Sequence, residues 1–239
     1  MKLYEWDGPE PYRVAFSTRL GGVSEGEFES LNLGIYTDDE PDRVVENRRR
    51  LYAAVDADPE TATMPWQVHG ARVTRADGRG IVTPGRAFER CDGLWTDELG
   101  RALGVLTADC FPVVLAAANG TPRLAVLHVG WRGLLGGIVE AGVAAVGDGA
   151  LAAIGPGIGA CCYTVGVEVA RPFRERFGDD VLDHERLDLG LALERALRQV
   201  GVERVDRLGG CTACSPELFF SHRRDRGRTG RQGVVAYIR

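Results

Sequence analysis

The chain has 239 residues, of which 44% are hydrophobic and 26% are charged, a balance that is typical of a globular protein with a sizeable core. Its formal net charge of -5 argues against a general nucleic-acid or membrane-surface binder, because such proteins need a concentrated basic face. Lys2 is the only lysine, so the chain has no internal lysine for a Schiff base or a P-loop.

Neither a membrane span nor a secretory signal is expected. The longest apolar stretch, residues 102–118, is interrupted by Asp109 and does not reach the roughly 18 residues of a membrane span. Residues 1–9 contain acidic side chains and no apolar segment of the kind found in signal peptides. We therefore expect a cytoplasmic protein whose six cysteines are reduced thiols, available as metal ligands or nucleophiles.

The predicted elements indicate an α+β fold. In the first half of the chain, one helix is predicted from Pro41 to residue 55, with strands at residues 12–17, 67–74, 93–96, 102–107, 112–117 and 124–129. In the second half, helices are predicted at residues 134–146, 167–177 and 187–200, and strands at 151–154, 204–208 and 234–238. Strands occur in clusters rather than in strict alternation with helices, which favours mixed β-sheets flanked by helices in a single domain, residues 1–239.

Three segments each place one good metal ligand beside strand-like apolar residues. They are QVHG at 67–70, TADCFP at 107–112 and LHVGWRG at 127–133, and they supply His69, Cys110 and His128. Two imidazoles and one thiolate suit Zn²⁺, and three protein ligands leave a fourth position open, as in catalytic zinc sites. Two other interpretations stay open: the histidines can be ordinary buried polar groups, or Cys110 can be a nucleophile activated by His69 or His128.

The remaining cysteines allow a second, weaker hypothesis. Cys211 and Cys214 have the spacing of a redox pair or of half a zinc knuckle. A knuckle needs a second pair of ligands. Because Cys161 and Cys162 are adjacent, we do not expect both of their thiols to reach one metal ion.

Several arginines stand in glycine-rich turns, where their planar guanidinium groups are suited to bind phosphate or an oxyanion. Arg19 lies before Gly21, and Arg132 lies between Gly130 and Gly133. Others are found near the C-terminus, at Arg223, Arg224 and Arg231.

These segments, in this order, closely resemble the YfiH family of bacterial purine nucleoside phosphorylases. The family is also known as peptidoglycan editing factors and formerly as multicopper polyphenol oxidases or laccases. The matching motifs occupy residues 16–19, 21–24, 30–34, 46–48, 67–70, 92–96, 107–112, 128–133, 154–159, 219–225 and 229–231. Where many members have an acidic residue after the aromatic residue of a CCY-like segment, this chain has Thr164, so no acidic role is carried over to that position.

The resemblance implies a fold, a metal and a set of activities. The fold is an α+β core related to that of putative cysteine hydrolases. Zinc is expected on His69, Cys110 and His128. The implied activities are phosphorolysis of adenosine, inosine and methylthioadenosine, and deamination of adenosine, with a cellular role in editing peptidoglycan precursors. The expected partners are a purine nucleoside and phosphate, with no nucleic acid or membrane, in a monomer or homodimer.

Roles for individual residues follow as expectations. Asp109 is predicted either to protonate the leaving amine or to hydrogen-bond to a metal ligand and orient it. Cys110 and Arg132 complete the predicted catalytic group, and the residues predicted to bind substrate or phosphate are Arg19, Asn32, Arg48 and Gln67.

Two competing functions remain. One is a metal-free cysteine hydrolase or amidase that acts on peptidoglycan intermediates. The other, weaker one is copper-dependent phenol oxidation, which requires paired His-x-His clusters that four histidines in the whole chain cannot supply.

Overall fold

The computed structural model describes residues 1–76 and 89–239. Within these residues the helices are α1 (Pro41–Ala54), α2 (Trp131–Leu135), α3 (Ile138–Val146), α4 (Val167–Phe177) and α5 (Leu189–Gln199). The strands are β1 (Leu3–Glu5), β2 (Tyr12–Ser17), β3 (Val73–Arg75), β4 (Gly93–Thr96), β5 (Leu103–Thr107), β6 (Phe111–Ala117), β7 (Leu124–Val129), β8 (Ala150–Ile154), β9 (Leu182–Asp183), β10 (Arg186–Leu187), β11 (Val205–Arg207) and β12 (Gln232–Ile238).

Two sheets pack against each other. The larger has the order β11-β8-β6-β7-β4-β3, with parallel pairs at its two edges and antiparallel pairs between them. The smaller is antiparallel, with the order β1-β2-β12-β5. Strands β9 and β10 form a separate hairpin. The segments that supply Cys110 and His128 lie at the ends of β6 and β7, the two central strands of the larger sheet.

Alternate residues of the central strands point into two different hydrophobic cores. On β6, Val113 and Leu115 pack with α3, α4 and α5, whereas Val114 and Ala116 face the smaller sheet. A third core fills the other face of the smaller sheet, where Val235 and residues of α1 meet. β6 is buried along its whole length and is therefore apolar on both faces. The layers of the fold are, in order, helices, the larger sheet, the smaller sheet and a helix.

The α+β fold with mixed sheets and flanking helices is therefore confirmed. The described residues form one domain; that the whole of residues 1–239 belongs to it stays a prediction, because residues 77–88 lie outside the described part. In the part of the chain that is described, no helix has both the length and the apolar content that crossing a membrane requires.

Two predicted elements differ from the observed ones by more than two residues at an end. The helix predicted at residues 134–146 begins at Trp131 and is divided into α2 and α3 at Gly136 and Gly137, where Gly137 has φ +91°. The strand predicted at residues 67–74 is limited to β3, because the N–H groups before it donate to the carboxylate of Asp92 instead of to a neighbouring strand.

Candidate active site and metal centre

Three chain segments bring His69, Cys110 and His128 together. Cys110 immediately precedes β6, and His128 is the penultimate residue of β7. In the antiparallel pairing of these strands His128 lies opposite Pro112, so the end of β7 reaches the start of β6. The ligand atoms of His69, Cys110 and His128 all lie within 4.8 Å of one another. This is the convergence that the sequence predicted.

The donor set fits a metal ion. The two imidazole rings meet edge to face, with 4.8 Å between their centroids. His128 is buried, Cys110 is partly exposed and His69 is exposed, so the group is open on one side. A Cβ atom at Gly130 would lie 3.0 Å from the Cys110 sulfur, which explains why a glycine follows β7. The three residues could therefore hold one metal ion and leave a position facing the exterior.

Asp92 organises this centre, although sequence reasoning did not assign it a role. Its fully buried carboxylate contacts Nδ1 of His128 at 2.8 Å and accepts N–H groups of Val68, His69 and Gly70 at 3.1, 2.8 and 2.7 Å. Bonding at Nδ1 leaves Nε2 of His128 available for a metal, and a carboxylate–histidine pair of this kind is typical of metal sites. The available signal was the DGLWT motif at 92–96, which begins at this residue.

The charges of the centre are strongly coupled. Burial raises the pKa of Asp92, but hydrogen bonds from His128 and from backbone N–H groups lower it by more, so the pKa lies below its ordinary value. Desolvation likewise opposes ionisation of Cys110, yet the two histidines bring its pKa down to about 6. Although burial acts in the opposite direction, Cys110 and Asp92 raise the pKa of His128 to about 9. The directions of these two shifts favour a thiolate–imidazolium pair at Cys110 and His128 when no metal is bound.

The His69–Cys110–His128 group lines a cavity of about 620 Å³. This volume is in the range of small-molecule sites. Among the described residues that line it, Asp109 provides the single carboxylate, whereas four provide guanidinium groups: Arg48, Arg132, Arg223 and Arg231. Two exposed aromatic residues, Tyr36 and Trp66, also line it with their ring centroids 5.0 Å apart. The cavity therefore combines an excess of positive charge with flat apolar surfaces.

Two of the four predicted binding residues, Arg48 and Gln67, lie at the cavity, together with Arg132 of the predicted catalytic group. Arg132 is exposed, and its guanidinium group stacks 4.3 Å from the centroid of Trp131. Arg48 is almost fully buried, and its Nε donates to the carbonyl of Leu33 at 2.9 Å. Both ends of the Gln67 amide bond to the backbone of Leu106, at 2.7 and 2.8 Å. Gln67 thereby holds the segment before His69 against β5.

Arg19 and Asn32 are not brought into the cavity. The guanidinium group of Arg19 donates to the carbonyls of Glu29 and Pro216 at 2.6 and 2.9 Å and lies over the ring of Phe220. Asn32 is fully buried, and its amide bonds to groups of its own turn and to the N–H of Arg231. Each uses its polar atoms to join loops, and neither lines the cavity, so a role of Arg19 or Asn32 in substrate binding stays a prediction.

Asp109 also differs from part of its prediction. Its backbone has φ +95°, and its carboxylate accepts the Thr212 hydroxyl and the N–H of Arg223, both at 2.6 Å. The carboxylate that contacts a candidate metal ligand, His128, is that of Asp92, whereas the carboxylate of Asp109 is bonded to Thr212 and Arg223. Asp109 instead connects the start of β6 to two loops of the C-terminal third, and one of these loops brings Arg223 to the cavity.

Arg223 and Arg231 are cavity residues that sequence reasoning noted as turn arginines without assigning them to the site. Nη1 of Arg223 donates to the carbonyl of Thr164 at 2.7 Å, and its guanidinium group lies over the ring of Tyr163. Burial lowers the pKa of Arg231, while Asp109 and Cys110 act in the opposite direction. These long-range contacts could not be read from local spacing.

Comparison with known proteins agrees with this architecture. The family described as multi-copper polyphenol oxidoreductase laccase matches residues 13–239. A curated relative, purine nucleoside phosphorylase YfiH of Escherichia coli (strain K12), is 37% identical over 98% of this chain and 97% of its own length. The chain belongs to this family, the YfiH family.

Solved structures show the same fold. YlmD from Geobacillus stearothermophilus superposes with a TM-score of 0.92 at 34% identity, covering 100% of this chain and 97% of that one. A Bacillus licheniformis protein described as hypothetical protein YfiH also gives 0.92, at 29% identity, covering 99% of this chain and 96% of that one.

Proposed function

We propose that this chain is a zinc-dependent purine nucleoside enzyme that phosphorolyses adenosine, inosine and methylthioadenosine and deaminates adenosine. One observation carries the proposal: a single cavity joins the His69–Cys110–His128 group to four arginines and an exposed aromatic pair. The name of the Escherichia coli relative, a purine nucleoside phosphorylase, supports the same class of reaction. The expected location is the cytoplasm.

Zinc is the metal that the donor set favours. Two imidazoles and one thiolate are common zinc ligands, and Asp92 fixes the ring orientation of His128 as catalytic zinc sites require. When bound there, Zn²⁺ supplies a Lewis acid that polarises an oxygen and makes water more acidic. Asp92 also fixes the loop of His69, so the two histidine ligands are positioned by one buried carboxylate.

The arginines and aromatic side chains account for substrate binding. Guanidinium groups match the geometry of a phosphate dianion, and the exposed arginines of the cavity are Arg132 and Arg223. We assign phosphate binding to Arg132, because Arg223 already donates to the carbonyl of Thr164. Tyr36 and Trp66 offer exposed rings on which a purine can stack. Together they would hold phosphate and nucleoside in one site.

The two reactions require a proton at the leaving group. In phosphorolysis, a phosphate oxygen bonds to the anomeric carbon while the bond to the purine nitrogen breaks, and the purine leaves with the electron pair and takes up a proton. In deamination, water adds at the purine carbon that bears the amine, and ammonia leaves after protonation. Asp109 is the only carboxyl group among the described lining residues, so we assign the proton transfer to it.

A nucleoside panel tests this proposal. The protein is freed of metal, reloaded with Zn²⁺ and assayed with adenosine, inosine and methylthioadenosine, each with and without phosphate. We expect ribose 1-phosphate or its methylthio analogue only with phosphate, inosine from adenosine in either case, and neither product in metal-free protein. Full activity without metal would exclude the zinc enzyme.

A metal-free cysteine hydrolase or amidase that edits peptidoglycan precursors is the second candidate. The specific observation in its favour is that Asp92, His128 and Cys110 are arranged as acid, base and nucleophile, with the thiol pKa lowered to about 6. Chelation separates the two candidates, because a cysteine hydrolase keeps its activity when metal is removed. Copper-dependent phenol oxidation is less well supported, since the chain's four histidines include no His-x-His pair.

A further inference from the structure

A second cluster of potential ligands lies outside the His69–Cys110–His128 group. Cys161 and Cys162 follow β8, and Cys211 and Cys214 follow β11. All four sulfur atoms lie within 4.8 Å of one another, with Cys214 at 3.4 Å from Cys161 and 3.3 Å from Cys162. We call these four residues the tetracysteine cluster.

The cluster corrects the expectation that adjacent cysteines cannot present both thiols to one metal. The chain turns at this point, with the N–H of Cys162 donating to the carbonyl of Gly159 at 3.0 Å. Because of the turn, the side chains of Cys161 and Cys162 both approach Cys214. The second pair of ligands that a zinc knuckle needs is therefore present, though it comes from a segment about 50 residues away in the sequence.

The two segments are held together by the backbone as well as by sulfur contacts. Gly157 forms a parallel bridge with Cys211, and the N–H of Thr212 donates to the Gly157 carbonyl at 3.0 Å. The N–H of Gly159 points at the Cys211 sulfur at 3.2 Å. The sulfur of Cys211 is thus already held in place as a hydrogen-bond acceptor.

We propose that Cys161, Cys162, Cys211 and Cys214 bind one Zn²⁺ ion as a tetrathiolate structural site, separate from the His69–Cys110–His128 group. Tetrahedral coordination with Zn–S distances of about 2.3 Å places sulfur atoms about 3.8 Å apart, which is longer than the 3.3 Å between Cys162 and Cys214 and within the 4.8 Å that bounds all the separations here. Binding converts four thiols to thiolates, releases their protons and leaves a site with a charge of two minus. Cys161 and Cys214 are exposed, so the ion can enter from solvent.

The position of the cluster indicates what this zinc would stabilise. Thr212, between two of its cysteines, donates its hydroxyl to Asp109 at 2.6 Å. Ile158, just before the other pair, donates its N–H to the Asp109 carbonyl at 2.8 Å. Tyr163, just after that pair, lines the cavity. The ion would therefore fix the wall of the cavity that holds Asp109.

Elemental analysis of the full-length chain, purified without added metal from cells grown with zinc, tests the proposal. We expect Cys214→Ser to contain one zinc equivalent less than the wild type. Cys110→Ser removes the other centre and should keep the zinc of the tetracysteine cluster, so failure of the proposed function can be distinguished from failure of this site. Cys91→Ala, which removes a buried cysteine outside both groups, should keep the wild-type zinc content.

Thiol accessibility in the wild type provides a test that does not depend on a variant folding. Alkylation under native conditions, read by peptide mass spectrometry, should leave Cys161 and Cys214 unmodified until a strong chelator is added. Rapid alkylation of both before chelation, a disulfide within the cluster, iron in place of zinc, or a Cys214→Ser variant with unchanged zinc would each overturn the proposal.

Discussion

The carboxylate of Asp92 contacts Nδ1 of His128 at 2.8 Å and also accepts the N–H of His69 at 2.8 Å, so one buried acid positions both histidines of the candidate metal centre. The two histidines come from different parts of the fold, since His69 lies in a loop before β3 and His128 lies near the end of β7. The carboxylate of Asp92 is therefore the first group to mutate.

Asp92→Asn should weaken zinc binding about 10- to 100-fold, the usual effect of losing a carboxylate that orients a histidine ligand. The amide keeps the shape of the side chain but cannot accept every hydrogen bond that the carboxylate accepts. Competition with a chromophoric chelator measures the affinity, and Asp183→Asn, at an exposed position in β9, serves as the control. Equal zinc affinity in Asp92→Asn and the wild type would show that the contact does not organise the metal centre.

The reactivity of Cys110 in metal-free protein should depend on pH in a defined direction. Because its pKa is lowered to about 6, the thiolate predominates above that pH and is lost as the pH falls through it. Alkylation by iodoacetamide should therefore reach half its maximal rate near pH 6, compared with about 8.5 for an ordinary thiol.

His128→Ala provides the matched variant, since it removes the partner that contributes most to lowering this pKa. Its alkylation midpoint should move to higher pH. Loading the wild type with Zn²⁺ should slow the reaction at every pH, because the metal occupies the thiolate. An alkylation midpoint near 8.5 in the metal-free wild type would contradict the thiolate–imidazolium pair.

Arg132→Ala should raise the KM for phosphate about 10- to 150-fold and change the KM for nucleoside much less. This range corresponds to the roughly 1.5–3 kcal/mol of a charge-assisted hydrogen bond. Steady-state kinetics with each substrate varied separately measure both constants, and phosphate-independent deamination should change little. Arg171→Ala, on the exposed face of α4, controls for the loss of positive charge. An unchanged phosphate KM would assign Arg132 a structural role only.

Tyr36→Ala should raise the KM for nucleoside, while Tyr36→Phe, which keeps the ring, should not. Stacking of a base on an aromatic side chain is worth about 1–3 kcal/mol, or about 5- to 150-fold in affinity. Leu99→Ala removes an exposed apolar side chain that is not among the lining residues and is the control. If Tyr36→Ala raised the phosphate KM as much as the nucleoside KM, stacking on the purine would not be its role.

Asp109→Asn distinguishes proton transfer from positioning. The amide cannot donate a proton in catalysis, and it also places an NH₂ group against one of the two donors that the carboxylate accepts. Thr212→Val removes only the hydroxyl contact. We expect Asp109→Asn to lower kcat for both reactions far more than Thr212→Val does, and to remove the loss of rate at high pH that deprotonation of a general acid produces. Equal losses in both variants, with an unaltered pH profile, would make Asp109 a positioning residue alone.

The sequence by itself determined the elements whose pattern is local. The predicted bounds of β4 and β7 agree with the observed ones, because continuous apolar runs between turn residues have few other ways to be buried. Pro41 correctly marked the first turn of α1. The three ligand segments were also found locally, since each combines an unusual residue with the end of an apolar run.

The tertiary structure decided which polar side chains share a site. Arg19 and Arg132 both lie near glycines, yet only Arg132 lines the cavity. The guanidinium group of Arg19 instead donates hydrogen bonds to carbonyl groups of two other loops. A local turn directs the adjacent cysteines at 161 and 162 to one side, but the cysteines that complete the cluster come from a loop about 50 residues away that packs against them. Hydrogen bonds and metal ligation depend on distances between atoms, and the packing of sheets and loops, rather than spacing along the chain, sets those distances.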